Sequence, residues 1–568
     1  MHRAALLHGF HPSPGPLATA LRRHAADAER IAAGLWRRDP AVWSGDAAAQ
    51  ERIANRLGWL GSPSLMAGSI GRVRAFAERV KADGFTHVVL LGMGGSSLAP
   101  EVLRGVLGVA PGWPALQVLD STDPAAVRAV VQPPDKTLFL LASKSGTTIE
   151  PNSLAAHFQQ TLDRAGLRWA DHFVAITDPG TELAVRAERE RFRDLFVNPA
   201  DIGGRYSALS FFGLVPAALM GQDIEGLLSW AIAMLDEAQT AAREPLANPA
   251  VGLGLLIGAA AIEGHDKVTL VLPPAFEPFG LWVEQLVAES TGKQGVGVVP
   301  IAGEVLGLPD AYGPDRLFVQ LHAIGETTAD DDAAVRVLGK IAPLVRIDLL
   351  ERTALGAEFM RWEVATAIAG ALLGINPFDE PNVQQAKEAT KVLLGRREEE
   401  GRLPIPAADV TLRGGVTVAT TAAARDRLNG ASPAGILQLV EPGDYVVLLA
   451  YLGPDPALAE ALDAFRRHVR NRTRAATMLG YGPRYLHSTG QLHKGGPNTG
   501  VFVIVTATPH DDLAIPGQPF SFGTLELAQA LGDFASLDAT GRRAVHLHLP
   551  SPDAAVLIEA LGALERSA

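Results

Sequence analysis

Short apolar runs alternate with longer segments of helical spacing over most of the chain. The first set of predicted strands covers residues 87–92, 116–120, 137–142 and 173–177. Predicted helices follow two of these runs, at residues 98–107 and 152–165. Because buried strands that alternate with helices are typical of a parallel sheet covered on both faces, the pattern predicts an α/β unit.

The same alternation returns twice further along the chain. The second set has predicted strands at residues 268–272, 296–301 and 317–322, and predicted helices at residues 279–289 and 358–374. The third set has predicted strands at residues 445–451, 501–506 and 544–549, and predicted helices at residues 456–479 and 525–531. A long helix over residues 221–241 is predicted to separate the first two sets.

The remaining segments suggest where the units begin and end. Alanine- and arginine-rich stretches at residues 17–35 and 50–60 have helical spacing and contain no evident chemistry. The charged stretch 395–404 ends in proline and indicates a boundary near residue 400, with the solvated end of a helix as an equal alternative. The predicted division is a helical segment at 1–70, α/β units at 71–230 and 231–398, and a smaller C-terminal α/β unit at 399–568.

Composition narrows the classes of function. The net charge of −12 argues against a partner such as nucleic acid, whose phosphate backbone requires a basic face, but leaves room for one small phosphate ester. The absence of cysteine excludes disulfides, thiolate nucleophiles and cysteine-ligated metals. No targeting segment is evident, and the longest apolar run, at residues 251–262, is too short to span a bilayer. We therefore expect a soluble cytoplasmic protein that does not bind membranes.

A glycine-rich loop follows the first predicted strand. Residues 91–100 read LGMGGSSLAP, and glycines directly after a strand let backbone approach a ligand. The loop is not a dinucleotide fingerprint, because Ser97 stands where the third glycine would be required. By itself the loop is a weak signal, and a tight structural turn is an equal alternative.

A second loop is rich in hydroxyl groups. Residues 142–151 read ASKSGTTIEP and lie between a predicted strand and a predicted helix. Hydroxyls and backbone N–H groups at the start of a helix can bind a phosphate monoester. A helix N-cap is the alternative, but one hydroxyl would serve that purpose. The loop offers Ser143, Ser145, Thr147 and Thr148.

The third loop places an arginine after two glycines, in the sequence DIGGRYS at residues 201–207. The guanidinium of Arg205 is a permanently charged fork suited to oxyanions, and a surface salt bridge is the alternative.

Together the three loops resemble segments of the phosphoglucose isomerase family. Two further segments are similar to family motifs, ESTGK at residues 289–293 and NPFDEPNVQQAK at residues 376–387. The resemblance implies two doubly wound, flavodoxin-like sugar-isomerase (SIS) domains. The sequence GPRYLHSTGQLHKGG at residues 482–496 resembles the C-terminal part of transaldolase–isomerase fusion proteins. We expect no transaldolase barrel, because the region before the first α/β unit is too short to form one.

The resemblance also implies an activity, the interconversion of glucose 6-phosphate and fructose 6-phosphate through a cis-enediol in glycolysis and gluconeogenesis. It implies that Glu289 transfers the proton, that Arg205 stabilises the enediolate and that Lys387 assists ring opening. It further implies that the phosphate and sugar are bound by Gly95, Ser96, Ser143, Lys144, Ser145, Thr147 and Thr148. No metal or other cofactor is implied.

The chain departs from the family at two positions. Arg316 stands where the family has its ring-opening histidine, and an arginine cannot exchange a proton near neutral pH. Either Lys387 acts alone or a histidine arrives from elsewhere, and we hypothesise that His487 or His493 supplies it. The alternative is that their loop only packs against the α/β units. Glu380 stands where the family usually has glutamine, so a contact to a sugar hydroxyl is expected to differ.

Other interpretations remain open at this point. One is an isomerase of another sugar phosphate, such as mannose 6-phosphate, and another is a non-catalytic SIS-domain sensor. His546 and His548 alternate on one predicted strand, and we interpret them as a sheet-facing pair rather than metal ligands. Because the histidine that family dimers share is absent, a homodimer and a monomer with its own C-terminal lid both remain open.

Overall fold

The computed structural model describes residues 2–240 and 244–566, which form three β-sheets and the helices packed on them. The N-terminal segment begins with helix α1 (His2–His8) and strand β1 (Phe10–Ser13). Its other helices are α2 (Ala18–Trp36), α3 (Ala47–Ala54), α4 (Ser62–Ala67) and α5 (Ile70–Ala82). The strand β1 was not predicted, and the helix predicted over residues 50–60 ends instead at Ala54.

The first sheet is parallel throughout, with strand order β3-β2-β4-β5-β6. Its elements in chain order are β2 (His87–Gly92), α6 (Leu98–Leu107), β3 (Ala115–Leu119), α7 (Pro124–Arg128), β4 (Thr137–Ala142), α8 (Ile149–Arg164), β5 (Phe173–Thr177), α9 (Glu182–Glu190) and β6 (Asp194–Val197). This is the flavodoxin-like order, in which the connections leave in opposite directions on either side of the boundary between β2 and β4. A crevice opens there at the carboxyl ends of the strands, where such folds bind ligands.

The second sheet repeats the arrangement and gains one strand from the N-terminus. Its order is β1-β10-β9-β7-β8, with β1 antiparallel to β10 and the other pairs parallel. The elements of this part are α10 (Phe211–Leu219), α11 (Ile224–Ala238), α12 (Val251–Ile262), β7 (Lys267–Val271), α13 (Glu277–Thr291), β8 (Val299–Ile301), β9 (Arg316–Ala323), α14 (Ala329–Leu338), β10 (Leu344–Leu349), α15 (Leu355–Leu372) and α16 (Pro381–Glu400). The long helix predicted over residues 221–241 corresponds to α11, and Ala241 lies outside the described residues.

The third sheet is mixed, with strand order β11-β12-β16-β15-β13-β14. Its elements are β11 (Val410–Thr411), β12 (Thr417–Thr420), α17 (Ala422–Leu428), β13 (Tyr445–Tyr451), α18 (Pro456–Thr473), β14 (Ala476–Tyr481), α19 (Gly490–Gly495), β15 (Gly500–Ala507), α20 (Phe522–Ala539), β16 (Arg543–Leu549) and α21 (Ala554–Arg566). The helix predicted over residues 456–479 was wrong at its end. Arg474 adopts the left-handed conformation (φ 62°), which stops α18 and lets β14 pair with β13.

The α/β class with parallel sheets is confirmed, and the three sheets are held together by shared cores. Buried residues of the first and second sheets, among them Leu90 and Val268, belong to one continuous core. The third sheet has its own core on one face, and on the other it packs against Val299 and Ile301 of β8. Helix α20 packs through Leu525 on the first unit, so the C-terminal unit contacts both of the others. The domain boundaries stay a prediction.

None of the helices in residues 2–240 and 244–566 combines the length and the apolar character needed to cross a membrane.

Candidate active site

A cavity of about 560 Å³ lies at the carboxyl ends of β2 and β4, at the switch point of the first sheet. The second unit closes one side of it with α13 and the loop at residues 376–380, and the C-terminal unit reaches it through the loop after β14. Residues from distant parts of the chain therefore meet here. The predicted site residues that line the cavity are Gly95, Ser96, Ser143, Lys144, Ser145, Thr148, Arg205, Glu289, Glu380, Lys387 and His487.

An ion pair between Arg205 and Glu289 lies in the wall of this cavity. Arg205 Nη1 is 3.3 Å from Glu289 Oε1 and 3.0 Å from Glu380 Oε2, so two carboxylates share one guanidinium nitrogen. Arg205 Nε donates to the Ser290 hydroxyl at 2.8 Å. Arg205 Nη2 donates to the carbonyls of Pro377 and Asp379, which fixes the loop that carries Glu380.

Burial and the neighbouring charges shift the pKa values of Glu289 and Arg205. Burial raises the pKa of Glu289 to about 7, with the Arg205 guanidinium opposing the rise and the Glu380 carboxylate adding to it. Burial alone would lower the pKa of Arg205, but Glu289 and Glu380 raise it above its ordinary value. Glu289 can thus gain and lose a proton near neutral pH, as a general base requires. A permanent positive charge, on Arg205, lies beside it.

Lys293 also binds the loop at residues 376–380. Its ammonium donates to the Asn376 carbonyl at 2.6 Å and forms an ion pair with Asp379 at 2.8 Å. Burial lowers the pKa of Lys293 to about 8. The motif that contains Glu289 therefore also anchors the segment that contains Glu380.

In the hydroxyl loop between β4 and α8, the hydroxyl groups lie within hydrogen-bonding distance of one another. Ser143 Oγ lies 3.2 Å from Thr148 Oγ1, and Ser145 Oγ lies 3.1 Å from Thr147 Oγ1. Thr148 directly precedes α8, yet its side chain makes no capping hydrogen bond. The N-cap alternative thus does not account for this residue, and its hydroxyl lines the cavity.

Thr147 does not line the cavity at the ends of β2 and β4. It lines a neighbouring cavity of about 660 Å³, which shares Ser145 and Thr148 with the first cavity. Lys144, in contrast, lines the first cavity, where its ammonium pairs with Asp178.

Two glycines permit the close contacts between loops. A Cβ on Gly95 would stand 2.0 Å from the Gly204 carbonyl oxygen. Gly94 has a φ of +54°, and a Cβ there would stand 2.7 Å from the His487 carbonyl oxygen. These glycines bring protein loops together around the cavity, rather than only bringing backbone close to a ligand.

His487 enters the cavity from the C-terminal unit and is bound to a buried carboxylate. Its Nε2 lies 2.9 Å from Glu150 Oε1, and the Gln529 amide donates to the same oxygen at 2.7 Å. Burial opposes ionisation of Glu150, but His487 holds the pKa of this carboxyl below its ordinary value. The result is an ionised acid that orients an imidazole toward the cavity.

The other candidate histidine is not in the site. His493 lies in α19 and packs between Tyr485 and Phe502, with ring centroids 6.0 and 5.2 Å away. Neither of its ring nitrogens has a hydrogen-bond partner among the described residues, and burial lowers its pKa well below the ordinary value. His493 is therefore a neutral packing residue, because its helix turns it toward the third sheet.

Arg316, at the family's histidine position, is also outside the cavity. It is the first residue of β9, fully buried, and forms an ion pair with Glu304 at 2.9 Å. Thr477 of β14 donates to Glu304 through both its amide and its hydroxyl at 2.9 Å. This arginine thus joins the second unit to the C-terminal unit.

His546 and His548 form the sheet-facing pair that the sequence indicated. Both rings lie 2.8 Å from the Thr506 hydroxyl of the neighbouring strand. Among the described residues, no group of three or more histidine, aspartate or glutamate side chains is arranged to hold a metal ion.

Several residues of the site were not predicted from the sequence, and three of them contribute polar side chains to it. Glu150 was part of a quoted motif, but nothing in the motif showed that its side chain is buried. Gln285 lies one helical turn before Glu289, a spacing that could have identified it, and its amide nitrogen is 3.2 Å from Glu289 Oε2 and 2.7 Å from the His487 carbonyl. Arg56 belongs to the N-terminal segment, in which no chemistry was expected.

The chain is similar in sequence to proteins of one family. A family model described as phosphoglucose isomerase matches residues 67–301. A glucose-6-phosphate isomerase of Rubrobacter xylanophilus is 32% identical over 376 residues, which cover 56% of this chain and 85% of that protein. One of Thermosynechococcus vestitus is 31% identical over 385 residues, which cover 58% of this chain and 72% of that protein.

Among solved structures, a hypothetical protein of Thermus thermophilus is similar with a TM-score of 0.57. The two share 24% identity, and the match covers 67% of this chain and 98% of that one. At this identity the likeness establishes the fold alone.

Proposed function

Because the chain belongs to the phosphoglucose isomerase family, we propose that it interconverts glucose 6-phosphate and fructose 6-phosphate through a cis-enediol intermediate. The observation that carries the proposal is the position of Glu289, a buried carboxyl beside Arg205 in a cavity that also contains a loop of hydroxyls. A general base that titrates near pH 7 and a fixed positive charge are the two groups that proton transfer next to a carbonyl requires.

In this mechanism Glu289 removes a proton from one of the two adjacent carbons, C1 or C2. It then delivers a proton to the other carbon, and exchange of the proton on its carboxyl with solvent between the two transfers introduces solvent hydrogen into the product. The negative charge that develops on the oxygens is stabilised by the Arg205 guanidinium, which lies in the same wall of the cavity. Gln285, whose amide touches Glu289, holds the carboxylate in place during both transfers.

Ring opening precedes this step, and we assign it to His487 with Lys387 as an assisting residue. His487 accepts the proton of the anomeric hydroxyl and donates a proton to the ring oxygen, and the Glu150 carboxylate holds its imidazole in place. Lys387 lies on the same side of the cavity in α16, where its positive charge is placed to bind the ring oxygen or hydroxyls.

The phosphate is assigned to Ser143, Lys144, Ser145 and Thr148, and the sugar to Gly95 and Ser96. Thr147 is left out of this assignment because it lines the neighbouring cavity. Glu380, which lines the cavity and pairs with Arg205, is also assigned to the sugar, with a contact to a hydroxyl that differs from that of a glutamine. The activity would belong to glycolysis and gluconeogenesis in the cytoplasm.

Proton exchange with solvent tests the proposal. The protein is incubated with fructose 6-phosphate in deuterated water, and the glucose 6-phosphate formed should contain deuterium at C2. Glu289→Gln should lower kcat by at least about 10³-fold, within the range that general-base catalysis contributes, and abolish the exchange. Glu284→Gln is the matched control, since Glu284 is buried in the same helix but does not line the cavity.

The alternatives make different predictions in the same experiment. An isomerase specific for mannose 6-phosphate would form mannose 6-phosphate, rather than glucose 6-phosphate, from fructose 6-phosphate. A sensor would bind the sugar phosphate without turnover or exchange in the wild type, which would reject the enzyme.

A further inference from the structure

The N-terminal segment contributes an arginine to the cavity. Leu57 forms an antiparallel β-bridge with Ile202, and the Gly58 amide donates to the Asp201 carbonyl at 3.0 Å. These bonds fix Arg56 beside the loop that carries Arg205. The Cδ atom of Arg56 lies 3.8 Å from the position that a Cβ on Gly203 would occupy.

Lys144, the positively charged residue of the hydroxyl loop, already has an anionic partner. The Lys144 ammonium forms an ion pair with Asp178 and donates to the Ala200 carbonyl at 3.3 Å. Lys144 and Asp178 together carry no net charge, and the second oxygen of Asp178 is buried without a hydrogen-bond partner in the described chain. A phosphate dianion that binds next to this pair needs a further positive charge.

Arg56 has the charge and the free donors to supply it. It forms no ion pair within 4 Å with any described residue, and its Nη1 donates to the backbone carbonyl of Asn55 at 2.9 Å. Arg56 lines the same cavity as Lys144, Asp178 and Ala200. The remaining N–H groups of a guanidinium can bind two phosphate oxygens at once.

We propose that Arg56 is a substrate-binding residue that holds the dianionic phosphate of the sugar phosphate opposite the hydroxyl loop. The inference rests on the proposed function and extends the phosphate site to a segment outside the two α/β units. Because the phosphate is remote from the carbons that react, Arg56 contributes binding that is equal in the ground state and the transition state. Its loss should therefore appear in KM rather than in kcat.

Steady-state kinetics with fructose 6-phosphate tests this assignment. We expect Arg56→Ala and Arg56→Gln to raise KM by about 10- to 100-fold, the effect of one hydrogen-bonded charge, with kcat within about 3-fold of the wild type. Arg56→Lys should recover part of the loss because it restores the charge without the fork. Arg52→Ala is the matched control, since Arg52 is an exposed arginine of the preceding helix that does not line the catalytic cavity, and it should leave KM unchanged.

Two further measurements separate binding from a structural role. Inorganic phosphate should inhibit the wild type competitively, and its inhibition constant should rise in Arg56→Ala by the same factor as KM. The KM of the wild type should also rise as pH falls below about 6, where the substrate phosphate loses its second charge, and this dependence should be weaker in Arg56→Ala. An unchanged KM and inhibition constant in a folded Arg56→Ala would overturn the inference.

Failure of the proposed function gives a different result. If the wild type does not convert fructose 6-phosphate, equilibrium dialysis with inorganic phosphate still tests Arg56. Weaker phosphate binding by Arg56→Ala than by Arg52→Ala would support the inference in that case, and equal binding would overturn it.

Discussion

His487 and Glu150 lie 337 positions apart in the sequence, yet the His487 imidazole and the Glu150 carboxylate are joined by a hydrogen bond of 2.9 Å. Glu150 belongs to the first turn of α8 in the first unit, and His487 to the loop after β14 in the C-terminal unit. The C-terminal unit thus contributes directly to a cavity built on the first sheet, which a unit that only packs against the others would not do.

We predict that His487→Ala lowers kcat/KM for cyclic fructose 6-phosphate by about 10²-fold or more, the contribution of a positioned acid–base group. The same variant should convert 5-deoxyfructose 6-phosphate at nearly the wild-type rate, because this analogue cannot close its ring. Comparing the two substrates, with the aldose formed from each measured directly by NMR, isolates ring opening from proton transfer.

His493→Leu provides the control for this prediction. His493 is a neutral residue packed between aromatic rings, so its replacement by an apolar residue should leave both rates within a few-fold of the wild type. Equal losses on both substrates in His487→Ala would mean that His487 supports the fold rather than ring opening.

The second prediction concerns whether one chain builds a complete site. Glu289 and His487 of the same chain line the same cavity. A mixture of Glu289→Gln and His487→Ala, unfolded together and refolded, should therefore show no more activity than the sum of the two variants alone. Recovery toward a quarter of the wild-type rate would instead show that two copies of the chain share the site.

Much of the fold was accessible from the sequence, because buried strands of a parallel sheet are continuous apolar runs. Residues 87–92, 137–142 and 173–177 form strands with the predicted bounds. The strands β1 and β14 were missed for physical reasons. The strand β1 contains a histidine and a proline at a sheet edge, so it is not a continuous apolar run. Only two residues separate the strand β14 from the end of the charged helix α18, and no glycine or proline in the sequence marks the turn between them.

The candidate site was accessible in part. Arg205 and the hydroxyl loop stood out by residue type, and the family resemblance added Glu289 and Lys387. The sequence could not separate His487 from His493, because the fold of residues 484–495 decides which ring faces the cavity and which faces the sheet. Glu150 was missed because its function depends on a partner from another unit.

The third prediction is a change in pH dependence. The wild-type kcat/KM should fall below about pH 7, as the Glu289 carboxyl, whose pKa burial raises to about 7, becomes protonated. The Glu380 carboxylate contributes to this rise, so Glu380→Gln should lower the pKa of Glu289 and move the acidic limb to lower pH. In Glu380→Gln, Glu289 is also the one carboxylate that remains paired with Arg205 Nη1, and this undivided pairing lowers the pKa of Glu289 further.

The substrate provides an internal control in this experiment, since its phosphate ionises near pH 6 in the wild type and the variant alike. Glu380→Asp should retain the wild-type limb because it keeps the charge. An acidic limb at the same pH in Glu380→Gln would contradict the assignment of that limb to Glu289.

The fourth prediction concerns stability and a buried acid that does not line the cavity. Burial raises the pKa of Glu526 in α20 well above the ordinary value of 4.5, and repulsion from Asp123 and Asp512 adds to the rise. One of its carboxyl oxygens has no hydrogen-bond partner among the described residues. The folded protein therefore keeps this proton at a pH at which the unfolded chain releases it, and the wild type loses stability as pH rises above 4.5.

Glu526→Gln removes that loss, because the amide is neutral in both states. Its free energy of unfolding should exceed that of the wild type by an amount that grows by up to about 1.4 kcal/mol per pH unit above the ordinary carboxyl pKa, until the folded carboxyl ionises as well. Denaturant titrations at pH 5 and pH 8 measure this difference. Glu559→Gln, on the exposed face of α21, should change stability by less than about 0.5 kcal/mol at both pH values. A difference for Glu526→Gln that is equal at pH 5 and pH 8 would show that Glu526 is ionised in the folded protein, and that its carboxylate has a partner or solvent access.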